Sequence, residues 1–110
     1  MRDQEVTALD VLAHLLLLNG KWERAMPLYK ALVTLDGGNL RWRQALAYTL
    51  LRLGRSEEAL AQLDWCLAQR DEVPSDQFVL LRARVLWDLA RRQEAVEFLA
   101  HPERAAGSSW

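Results

Sequence analysis

The chain has 110 residues, 51% of them hydrophobic and 26% charged, and a formal net charge of −1. That length suits one domain burying roughly two thirds of its unfolded surface, and the balance of apolar and charged residues excludes a disordered chain. Near-neutral charge gives no electrostatic reason to expect nucleic acid or an anionic membrane surface as a partner.

The start, Met1 to Glu5, carries acids where a signal peptide needs net positive charge, and the apolar run from Val11 to Leu18 is interrupted by His14 and too short to span a bilayer. A cytoplasmic, membrane-free protein is therefore expected. The single Cys66 cannot form an internal disulfide, which fits a reducing compartment.

A first helix is predicted from about Glu5 to Leu18, with Asp3 or Thr7 as its cap, Leu9, Leu12, Ala13 and Leu16 as its core stripe, and Asn19-Gly20 as a left-handed stop. The second, about Glu23 to Leu35, turns Ala25, Tyr29 and Leu32 toward the first, and Pro27 in its second turn is expected to bend it or delay its regular start. Asn39 caps a third helix from Leu40 to Leu53, stopped by Gly54. Ser56, Glu57 and Glu58 open a fourth, to about Gln69. A loop at 71–76 leads to a fifth helix, capped by Ser75 and running from Asp76 to Leu89. A short sixth, Gln93 to Ala100, ends before Pro102. Residues 103–110 read as a frayed tail, and no polar capping helix follows the last hairpin.

Three corners of this series share one phrase: Gly20-Lys-Trp-Glu-Arg-Ala25, Gly54-Arg-Ser-Glu-Glu-Ala59 and a degenerate Ala90-Arg-Arg-Gln-Glu-Ala95. Ala25 and Ala59 are 34 residues apart, and Ala59 and Ala95 are 36 apart. The same offsets align Ala13 with Ala47 and Ala83, Leu16 with Leu50 and Leu86, Tyr29 with Leu63 and Leu99, and Leu32 with Cys66 and Pro102. A period of 34 with a small residue at each corner resembles the tetratricopeptide repeat, whose helical hairpins bury their apolar faces by stacking on neighbours. The resemblance implies an all-α fold of about three hairpins, six helices, in a right-handed solenoid. It implies a single domain over 1–102, with repeats near 6–39, 40–75 and 76–102.

No pattern calls for catalysis, a cofactor or a metal. His14, Cys66 and His101 fall on different repeats without metal-ligand spacing, no glycine-rich phosphate loop is present, and register puts Cys66 inside as a structural thiol. In arrays of the family the first helix of each hairpin lines a concave groove. Mapped by register, that groove contains Asp10, His14 and Leu17, then Gln44, Tyr48 and Leu51, then Leu80, Leu81, Arg84 and Trp87. Leu17, Leu51 and Trp87 form an apolar row that a partner would cover. The basic clamp with which some family members hold charged chaperone tails is missing, because Asp10, His14, Ala45, Gln77 and Leu81 stand at its places. An apolar or amphipathic helix is the expected guest.

Leu15 to Gly20, Glu23 to Ala25 and Ala31 to Leu35 further resemble the YscY type of small bacterial type III secretion chaperone. That resemblance, strongest over 10–70, implies a YscX-like early export substrate as partner, delivery to the export gate and a hetero-oligomer. Needle-subunit and translocator chaperones have similar repeats, and a scaffold subunit docked by its convex side or open end is the reading of a different class. Arg82, where the family prefers leucine, and Pro102 depart from the repeat pattern.

Overall fold

Six α-helices follow one another in a computed structural model that describes residues 2–70 and 72–104. They are α1 (Asp3–Leu18), α2 (Trp22–Leu35), α3 (Leu40–Arg52), α4 (Ser56–Ala68), α5 (Asp76–Asp88) and α6 (Arg92–Ala100), and a short 3-10 turn covers Pro102–Arg104. Among the described residues there is no strand. Asp71 of the predicted loop and 105–110 of the predicted tail lie outside the described residues, while 103 and 104, expected to fray, belong to the 3-10 turn.

Each hairpin closes on itself, α1 on α2, α3 on α4 and α5 on α6, and successive hairpins meet through α2 with α3 and α4 with α5. Contacts between neighbours in sequence are what a serial stack requires. The repeat register explains the core. Ala13, Ala47 and Ala83 are all buried, as are Ala25, Ala59 and Ala95, so paired helices approach closely where no side chain beyond a methyl intervenes. Tyr29, Leu32, Leu50, Leu63, Cys66, Phe78, Val85 and Leu86 fill the space between.

The three corners share one hydrogen-bond pattern. The amides of Lys21, Arg55 and Arg91 donate to the carbonyls of Leu16, Leu50 and Leu86 at 2.8, 2.8 and 2.9 Å. Those of Gly20, Gly54 and Ala90 donate to Leu17, Leu51 and Trp87 at 3.1, 3.0 and 3.0 Å. These paired bonds satisfy the last carbonyls of a helix and need a left-handed residue between them. Gly20 and Gly54 supply it at φ 70° and 77°, and Ala90 adopts φ 61° despite its Cβ. The degenerate corner thus keeps its shape against the local preference of its residue.

Asn39 and Ser75 cap as expected: the amide of Trp42 donates to Asn39 Oδ1 at 3.1 Å and that of Phe78 to Ser75 Oγ at 3.3 Å. Four expectations change. Neither Asp3 nor Thr7 caps α1, which starts after Arg2 without a side-chain cap and carries Asp3 and Glu5 in its first turn, near the positive end of the helix dipole. Pro27 does not delay α2, which begins at Trp22 and runs through it; the carbonyl that loses a donor belongs to Glu23, in the exposed first turn. Leu12 leaves the core stripe and is 47% exposed, because among the described residues no helix covers that side of α1. Leu99 is likewise exposed although Tyr29 and Leu63 are buried, since among the described residues no hairpin follows α6.

Arg82 is absorbed by the structure. Its guanidinium meets Asp64 Oδ1 on α4 at 2.9 Å and lies 4.6 Å from the centre of the Phe98 ring on α6, which ties three helices where an aliphatic residue would tie fewer. Arg43 does similar work one repeat earlier. It donates to the Gly37 carbonyl at 2.7 Å and to Gln62 Oε1 at 3.1 Å, and stacks 3.8 Å over Trp65.

Candidate partner-binding groove

First helices of the three hairpins lie side by side and leave a groove of about 1090 Å³. α1 contributes His14 and Leu17, α3 contributes Gln44, Tyr48 and Leu51, and α5 contributes Leu80, Leu81 and Arg84. Eight of the ten residues chosen from the sequence therefore line one surface. Asp10 and Trp87 do not. Asp10 sits beside the groove, where its Oδ2 accepts from Arg41 Nη2 at 2.6 Å. Trp87 is held at the α5–α6 corner, with the Arg92 guanidinium 5.0 Å from its ring centre. The predicted row of three large apolar side chains is corrected accordingly: Leu17 and Leu51 reach the groove, and α5 adds Leu80 and Leu81, which precede Trp87 on the helix, in place of Trp87 itself.

Helical geometry explains the floor and the walls. Leu17 and Leu51 are half-buried and pack against the core, so their outer surfaces form the floor. Leu80 rises from it at 63% exposure. Tyr48 is held by Trp22, whose ring meets it edge-on at 5.6 Å, which fixes a large flat side chain in the middle of the surface. From the second helix of the first hairpin Tyr29 joins the lining. Its phenol is almost wholly buried, and desolvation first, then the nearby Asp10 charge, push its pKa up from the ordinary value of 10.0. It enters the groove as a neutral group.

Of the groove's arginines, register reasoning placed Arg84 and missed Arg41, Arg52 and Arg70. Arg41, Arg52, Arg70 and Arg84 all line the groove, against Asp88. Two are engaged with acids, Arg41 with Asp10 and Arg84 with Asp88 at 3.3 Å, and Arg52 lies 5.2 Å from the centre of the Trp22 ring. A chain with a formal net charge of −1 thus concentrates positive charge on its apolar concave face. The signal was present in the sequence, since Arg41 and Arg52 lie on the same helix as Gln44 and Tyr48, but Arg70 arrives from the end of α4 and required the tertiary arrangement.

Other titratable groups stay apart. Cys66 is fully buried, and burial pushes its thiol up from the ordinary value of 9.0, so it is inert at neutral pH. His101 closes α6 with its Nδ1 at 3.2 Å from Glu103 Oε1. Among the described residues no three His, Cys, Asp or Glu side chains converge, and no helix is long and apolar enough to cross a membrane.

A family model described as tetratricopeptide repeat matches residues 16–75, from the last turn of α1 to the cap of α5. No curated protein and no solved structure matches the chain.

Proposed function

The chain belongs to the tetratricopeptide repeat family, and on that footing we propose that it is a non-catalytic type III secretion chaperone of the bacterial cytoplasm. Its groove holds a helical segment of an early export substrate, of the YscX type, and helps present it to the export gate. The observation that carries this reading is an apolar surface shared by three hairpins, built from Leu17, Leu51, Leu80 and Leu81. The groove volume of about 1090 Å³ accommodates about two turns of a helix of ~10 Å diameter. An unfolded export substrate exposes such apolar helix-forming segments, and covering them prevents aggregation without chemistry. The arginines on the walls favour a guest whose apolar stripe is flanked by acids. YscY-like residues between Leu15 and Leu35 select the substrate class; needle-subunit and translocator chaperones are the neighbouring possibilities.

Leu80→Asp tests the reading, because Leu80 is exposed and its loss does not open the core. Co-expression of the native chain with the YscX-like protein is expected to give a stable complex, and the variant is expected to bind at least about tenfold more weakly with unchanged helical circular dichroism. Binding that survives Leu80→Asp, or a native chain indifferent to that protein, sinks the proposal. A permanent scaffold subunit is the second reading, favoured by the apolar residues Val11, Leu12 and Leu15 exposed on α1, away from the groove. Crosslinks to a partner that map to α1 and spare the groove would select it.

A further inference from the structure

The two ends of the hairpin stack expose positions that the interior of the same stack buries. Shifts of 34 and then 36 residues superpose Leu12 on Leu46 and Arg82, and Leu15 on Thr49 and Val85. Leu46, Thr49 and Val85 are 2%, 0% and 0% exposed, whereas Leu12 and Leu15 stand at 47% and 51%. One turn earlier Trp42 and Phe78 are buried and their counterpart Ala8 is exposed. The difference has a plain cause: α3 and α5 each pack on the second helix of a preceding hairpin, and among the described residues α1 has none before it.

The far end mirrors this. Val96 corresponds to Leu60, and Leu99 to Tyr29 and Leu63. Leu60, Tyr29 and Leu63 are 5%, 1% and 0% exposed, against 56% for Val96 and 47% for Leu99. So α6 presents the face that α2 and α4 turn toward the next hairpin, and α1 presents the face that α3 and α5 turn toward the previous one. The two ends are complementary by the same rule that joins the hairpins internally.

We infer that the chain associates head to tail with a second copy of itself, α6 of one molecule seated on α1 of the next, as a continuation of the α2–α3 and α4–α5 interfaces. Such a contact is heterologous, so each molecule retains one open end and the series extends until something caps it. The inference goes beyond the groove reading, because neither Leu15 nor Leu99 lines the groove.

The test pairs two variants of the full chain, Leu15→Glu on α1 and Leu99→Glu on α6, followed by sedimentation across a wide range of protein concentration. The native chain is expected to gain mass steadily with concentration, and each variant alone to remain monomeric with native circular dichroism. An equimolar mixture of the two is expected to form a dimer of twice the monomer mass and to stop there, because each variant supplies the end that the other lacks. A second pair, Leu12→Arg with Val96→Arg, should behave identically and guards against a folding defect in the first. A native chain monomeric throughout, a Leu99→Glu variant that still dimerises through α1 against α1, or a mixture that stays monomeric overturns the inference. No export substrate takes part, so failure here leaves the groove reading standing.

Discussion

Ala90 shows how far a repeat constrains a single residue. It holds φ 61°, the conformation that Gly20 and Gly54 adopt at the equivalent corners, and makes the same hydrogen bonds. A left-handed alanine costs about 1–2 kcal/mol, part of which a glycine returns through the greater freedom of its unfolded chain. Ala90→Gly is therefore expected to stabilise the protein by about 0.5–1 kcal/mol, read as a higher urea midpoint. Cys66 gives a second expectation at this scale. Burial raises the pKa of its thiol in the folded state, so the stability it contributes is fully present below the unfolded value of 9.0 and is lost as pH rises past it. Tyr29, raised chiefly by desolvation from 10.0, acts in the same direction. Unfolding free energy should hold steady from neutral pH and fall on the alkaline side, and the fall should be shallower in Cys66→Ala. An equally steep fall would remove the thiol from the explanation.

At the scale of the element, caps and registers decided where helices begin. Asn39 and Ser75 accept from backbone amides three residues on, which fixes the first turns of α3 and α5. Thr7 lies within α1 and caps nothing. Asn39→Ala should accordingly cost about 1 kcal/mol in chemical denaturation, whereas Thr7→Ala, at an exposed helical position, should change little or nothing. Equal losses for the two would mean that α1 starts elsewhere. The helices were legible because their signals are local. Glycine or asparagine stops, capping side chains and apolar period reproduced all six to within two residues at each end. Pro27 is accommodated because its cost depends on which carbonyl it strands, and Glu23 is an exposed residue of the first turn.

Across the whole molecule, the groove combines an oily floor with basic walls in a chain that is otherwise slightly acidic. Exposed charges interact over about 8–10 Å at moderate salt, so pairing between these arginines and acids on a bound helix should weaken as salt rises. Affinity for the YscX-like protein is expected to drop several-fold between low and high sodium chloride, and Arg84→Gln, at a largely exposed side chain, should flatten that dependence. Affinity insensitive to salt would leave the arginines with a structural task alone.

The serial architecture is written in the residues: a recurring corner phrase, small residues at Ala13, Ala47 and Ala83 and at Ala25, Ala59 and Ala95, and an apolar period suffice, because hairpins that bury surface only against neighbours write the same pattern each time. Most of the groove followed for the same reason, since equivalent positions on first helices face one side. The exceptions come from how the helices pack. Trp87 stands at the corner beside Arg92, Arg70 entered the groove from the segment after α4, and Leu12, Leu15 and Leu99 are exposed because among the described residues no further hairpin packs on α1 or α6. Periodicity describes what a residue does with a neighbour on each side, and the ends of an array are where that condition fails.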